Sequence, residues 1–128
     1  MWELLQTIEE ALKTISDLKT VSIGAESGIS SKDAPAAIIV TEYSDPSSKN
    51  KYFDHGVIQV ILLMDLKNDL PSAYENSIAL ELQIRSALKN IVLFNRIDYD
   101  QDSVTVFKAS ILRFTFSGIR NGKTECNL

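Results

Sequence analysis

With 128 residues, 45% of them hydrophobic and 23% charged, the chain has the size of one compact domain, and a disordered or fibrous protein is excluded. Its net charge is −4 with Lys and Arg scattered along the sequence, so the basic patch that phosphate neutralisation requires is missing and nucleic-acid recognition is not expected. The one cysteine, Cys126, has no internal partner, the longest apolar run (Val60 to Met64) is too short for a bilayer, and the start Met1-Trp2-Glu3-Leu4-Leu5 lacks a basic signal region, which predicts a cytoplasmic product away from membranes.

Apolar residues at Trp2, Leu4, Leu5, Ile8, Ala11, Leu12, Ile15 and Leu18 recur at three-and-four spacing and predict an amphipathic helix over 2–18, Trp2 included in its core stripe. Glu3, Glu9 and Glu10 toward its start and Lys19 at its end suit the helix dipole. Val21 and Ile23 alternate with polar neighbours as a short strand that Gly24 stops. Residues 24–35 are small and turn-forming, and read as a loop. Ala37 to Tyr43 is rich in β-branched side chains and predicts a strand; Ser44 to Lys51 predicts a polar hairpin tip, and Tyr52 to Leu66 a long strand. A tip this short cannot carry a parallel crossover, so these two strands pair antiparallel.

Asp69 suits an N-cap and Pro71 the first turn of a second helix, Leu70 to Lys89. Its wheel places Leu70, Ala73, Tyr74, Leu80, Ile84, Ala87 and Leu88 on one side, widened by Ile78 and Leu82. Glu81 falls near the middle of that stripe, with Arg85 four residues on in an order that permits an ion pair. Val92 to Tyr99 is a weaker strand, Asp98 to Ser103 a turn, and Val104 to Arg120 a last long strand. The end of the chain, 119–128, is expected to be a loose tail. Helix, three strands, helix, two strands predicts a single α+β domain over 1–128. Its architecture is a two-layer sandwich with a mostly antiparallel sheet of about five strands and both helices on one face.

No constellation in the sequence assembles a catalytic, metal or cofactor site, and an enzyme is not expected. Gly24-Ala25-Glu26-Ser27-Gly28 has three residues between its glycines and Ile29 after them, where a phosphate loop needs four and then Lys. It also lacks the central Ser of a nucleophile elbow. Asp98, Asp100 and Asp102 alternate like the first ligands of a calcium loop, but Ser103 and Ala109 stand where Gly and a bidentate Glu are needed. His55 is the only histidine and supplies one of the several groups that a nucleophilic or metal site requires.

The informative feature is an apolar surplus. Ile58, Val60, Leu62, Met64 and Leu66 share one face of the long strand, while Val57, Ile61 and Leu63 share the other. In the last strand Leu112, Phe114 and Phe116 oppose Phe107, Ile111 and Ile119. Two helices cover one face of such a sheet, and a one-sided sheet should alternate apolar and polar residues. Self-association or docking through the second face or an edge is therefore expected, with Val57, Ile61, Leu63, Phe107, Ile111 and Ile119 as candidate interface residues. The competing account folds the loop at 24–36, or helix ends, over that face.

In this order of elements the chain resembles the small tail-terminator, or tail-completion, proteins of long-tailed phages and prophages. The resemblance runs over 2–119. It is carried by the N-terminal helix, the Val21-Ser22-Ile23 strand, the Ala37–Tyr43 strand leading into a polar tip, the Phe53–Leu66 strand, the helix at 70–89 and the final Phe114-Thr115-Phe116-Ser117-Gly118. It implies a homo-oligomeric ring, commonly hexameric, that stops tail-tube polymerisation and meets the head connector. A tail-tube protein and a head-completion protein would then be its partners, in the host cytoplasm during assembly and in the virion tail afterwards. The resemblance brings no catalytic residue or cofactor, and it adds the 44–51 loop, with Asp45, Lys49 and Lys51, to the candidate interface. The alternatives are a small non-catalytic module that binds a peptide or apolar ligand between sheet and helices, and a small hydrolase or isomerase centred on His55.

Overall fold

Both helices lie on one face of a five-stranded sheet in the computed structural model, which describes residues 2–24, 33–46, 53–65, 70–100 and 107–119. The elements are α1 (Trp2–Lys13), β1 (Thr20–Ile23), β2 (Ala36–Pro46), β3 (Phe53–Asp65), α2 (Leu70–Leu88), β4 (Leu93–Asp100) and β5 (Phe107–Ile119), an α+β fold of order α-β-β-β-α-β-β. The sheet order is β1-β2-β3-β5-β4. β1 pairs with β2 in parallel, and every other pair is antiparallel. The connection at 24–35 has the length that a parallel crossover needs. Gly24 opens it with a φ of 86°, a backbone that glycine adopts without a Cβ penalty, and its N–H donates to the Ile39 carbonyl at 2.7 Å. α2 carries the chain from β3 past β5, which leaves β4 as an edge strand.

Helix α1 ends earlier than the apolar spacing predicts. The Thr14 hydroxyl donates to the Ala11 carbonyl at 2.6 Å, and the N–H groups of Ile15 and Leu18 donate to carbonyls three residues back. The helix thus tightens into turns. Ile15 and Leu18 still reach the core through them. Trp2 does not: it is 58% exposed, because Leu4, Leu5, Ile8 and Leu12 form the buried stripe and Trp2 falls beside it.

Helix α2 is rotated relative to the expected stripe. Ala73, Ser77, Leu80, Glu81, Ile84 and Leu88 face inward, whereas Tyr74, Ile78 and Leu82 face out. Small residues set this rotation. Ala73 and Ser77 let the helix approach the sheet until the Ser77 and Ser110 hydroxyls lie 3.3 Å apart. Glu81 is consequently buried, with one carboxylate oxygen, Oε1, making no hydrogen bond. Its partner is the Tyr99 hydroxyl, whose pKa is held above the ordinary phenol value by burial and then by the Glu81 charge and hydrogen bond. Arg85 turns away from Glu81, and its guanidinium lies 4.0 Å over the Phe94 ring.

Two strands extend into segments that read as turns. Ser44, Asp45 and Pro46 continue β2 opposite Gly56, His55 and Asp54. Asp98, Tyr99 and Asp100 continue β4 opposite Ile111, Ser110 and Ala109. In each case a long neighbouring strand offers partners to the backbone, and this outweighs local turn propensity. Lys49, Lys51, Leu66, Asp69, Asp102 and Cys126, and the tail beyond 119, lie outside the described residues. Among the described residues no helix is long and apolar enough to cross a membrane.

Candidate assembly surface

The core lies between the helices and the sheet face that carries Ile58, Val60, Leu62, Met64, Leu112, Phe114 and Phe116. Because side chains alternate along a strand, the intervening residues define the second face, and pairing in register arranges them in cross-strand rows. One row joins Ile38, Ile61 and Ile111, and the next joins Ala36, Leu63 and Ala109. Together they form an aliphatic block across β2, β3 and β5. Ile61, Leu63 and Ile111 are half-buried, while Ala36 and Ile38 are buried. A second apolar row runs through Tyr43, Val57, Thr115 and Leu93. Val57 is already sheltered there, whereas Tyr43 and Leu93 are 49% and 58% exposed. Tyr43, Leu93 and Ile38 are members of this face that the apolar count on the two longest strands missed; alternation read along the shorter strands carries that signal.

A polar row separates the two apolar blocks. Gln59 Nε2 donates to Glu42 Oε1 at 2.5 Å and Arg113 Nε donates to the same oxygen at 2.9 Å. The other arm of Arg113 donates to Asp98 Oδ2, which also accepts from Arg96 Nε at 3.0 Å. The row thus crosses all four strands from β2 to β4. Glu42 occupies a bulge between Thr41 and Tyr43, which aims its carboxylate along the row. Asp98, a member of the alternating aspartates, serves two guanidinium groups from a strand position.

Hydrogen bonds from Gln59 and Arg113 hold the Glu42 carboxyl below its ordinary pKa, against the opposing effect of burial and with help from the Arg113 and Arg96 charges. A carboxyl whose folded pKa is depressed stabilises the fold above its unfolded value, and that contribution disappears as pH falls through the folded value. Wild-type protein should therefore lose stability from the ordinary glutamate range downward, and Glu42→Gln should flatten part of that acid limb. Urea midpoints measured from about pH 7 to about pH 3 check this; identical slopes for both proteins would show that the row is not coupled to folding.

Phe107 pairs with Asp65, Ile119 with Phe53 and Asp45 with His55. His55, exposed on the second face, also pairs with Ser117. Register therefore lines up Asp45, His55 and Ser117 as backbone partners across three strands. A cleft of 290 Å³ opens between the α1–β1 turn and α2, lined by Asp17, Pro35, Met64, Asn76, Leu80 and Gln83 among others. Its volume is at the small end for organic-ligand sites.

No protein-family model matches the chain, and no curated protein matches it. Among solved structures, 25 chains match. One of them is similar over 94% of this chain and 96% of its own length, with a TM-score of 0.51 and 15% identity. That likeness is one of fold.

Proposed function

We propose that this chain is a structural assembly subunit of the phage tail-terminator kind, which associates with copies of itself into a ring that caps a tail tube and joins it to a head connector. It performs no catalysis. Its partners are a tail-tube protein and a head-completion protein, met in the host cytoplasm and retained in the virion tail. The observation that carries this reading is the second sheet face. Both described helices pack on the other side, yet Ile61, Leu63 and Ile111 present half-buried aliphatic surface beside Ile38 and Ala36. Aliphatic side chains gathered on the face that neither described helix covers favour a protein partner, and the polar row beside them supplies direction, since charged groups at an interface fix register more than affinity.

The test is the oligomeric state, measured by sedimentation and light scattering over a wide concentration range, with electron microscopy of the assembled species. Wild type is expected to form annular particles, and Ile61→Asp with Ile111→Asp to sediment as a folded monomer. A wild-type chain that stays monomeric at every concentration and binds no tube ends would remove the reading.

A further inference from the structure

Away from the second sheet face, the outward side of α2 carries Tyr74, Ile78 and Leu82, exposed by 49, 53 and 57% and each one turn from the next. Leu82 borders a groove of 440 Å³ between the end of α2 and the start of β4. Leu82, Leu93, Phe94 and Phe114 give it apolar walls, and Arg85 and Lys89 are its cations. These two are the only charged residues from Leu82 to Val92. Cations near a helix C-terminus complement its dipole, which accounts for their sign but not for the apolar walls.

The helix at the other end of the sheet has the opposite character. α1 packs on β1 and β2, whereas α2 packs on β3 and β5. The charges of α1 are Glu3, Glu9 and Glu10 against Lys13. Beside Glu3 stands the only tryptophan of the chain, 58% exposed. Tryptophan is the side chain most enriched at the energetic centre of protein interfaces. One helix thus presents an indole flanked by acid, and the other borders an apolar groove with two cations.

We propose that a second copy of this chain seats the Trp2 turn of its α1 in the groove between α2 and β4, with the indole against Leu82, Leu93 and Phe94 and Glu3 facing Arg85 and Lys89. The two surfaces differ, so the contact is head-to-tail, the type that closes into a ring or extends as a filament. This inference rests on the self-association reading and adds a second contact to the one through the sheet face.

Trp2 is its own reporter. Its emission should shift to the blue, and its quenching by acrylamide should fall, as concentration drives assembly of the full chain. Trp2→Ala is expected to raise the dissociation constant by about thirtyfold or more. Leu82→Asp, at an exposed position, should do the same with an unchanged circular dichroism spectrum. Glu3→Lys and Lys89→Glu should each weaken assembly and, combined, restore it. If wild type assembles while Trp2 stays fully quenchable, and Trp2→Ala and Leu82→Asp assemble as wild type does, the groove contact is overturned and the sheet-face reading stands. A chain that is monomeric throughout overturns both.

Discussion

Phe114→Ala is expected to cost about 3–5 kcal/mol, a large share of the roughly 5–15 kcal/mol that stabilises a domain of this size. The ring is 1% exposed and lies in the core cluster, paired in register with Ile58 on one side and Phe94 on the other. It meets Phe94 edge-on, at 5.6 Å between centroids and 71° between planes, and Phe94 in turn carries the Arg85 guanidinium. Removing Phe114 therefore opens a cavity under α2 and unseats a stack that also forms the wall of the groove. Urea unfolding measures the loss, and a double-mutant cycle with Phe94→Leu should return a coupling of about 0.5–1.5 kcal/mol. A loss near 1 kcal/mol, ordinary for an arbitrary substitution, would mean that the core is not centred on this ring.

The sheet was largely legible in the sequence because β3 and β5 are long and rich in β-branched, aliphatic and aromatic residues. Ile58, Val60 and Leu62 on one strand and Leu112, Phe114 and Phe116 on the other share the inward face, and a one-residue slip would turn all of them to the opposite side. Strand ends were less legible. Ser44 to Pro46 and Asp98 to Asp100 have turn composition, yet they lie opposite strands with backbone groups to satisfy. The face of α2 was misread for a different reason. Hydrophobicity assigns Tyr74, Ile78 and Leu82 inward, but close approach to β5 favours Ala73 and Ser77, whose small side chains permit the hydroxyl contact with Ser110. Glu81 follows Ser77 by one helical turn and is carried inside with it.

The same rotation links fold to candidate site. An α2 turned to bury Glu81 must expose Ile78 and Leu82, so the apolar surface along the β4 edge is a geometric consequence of how the helix sits on β5. Burying a carboxylate with one oxygen unpartnered has a free-energy cost. A helix optimised only for stability would place an aliphatic residue at Glu81 and polar residues outside. On the second face the polar row has a comparable effect: Glu42, Gln59, Arg113, Asp98 and Arg96 interrupt what would otherwise be continuous apolar surface. Apolar surface alone would let sheets stack in many registers, whereas a charged row accepts few.

Gly56→Ala should be among the most damaging single-methyl additions in the chain, destabilising by about 3 kcal/mol or more, the upper range for overpacking. Elsewhere in a strand, alanine for glycine is favourable by about 0.5–1 kcal/mol. Here the bulge at Glu42 drives the Tyr43 carbonyl oxygen into the space that a Cβ on Gly56 would occupy. The Phe116 ring closes the same space from the other side, with Cε1 and Cζ at 2.9 and 3.0 Å from that position. A carbonyl in a paired strand cannot retreat as a flexible side chain can, so the bulge, or the pairing of β2 with β3, must give way. Gly24→Ala is the control: its added Cβ would touch nothing within 4 Å, although its φ is +86°, so only backbone strain of about 1–2 kcal/mol applies. Thermal melts and urea midpoints of the two variants should separate these costs, with Gly56→Ala the worse. The bulge also aims Glu42 along the polar row, so a Gly56→Ala protein that remains folded should lose the acid dependence assigned to Glu42. Equal stability of the two variants would mean that the bulge does not bring the Tyr43 carbonyl against Gly56.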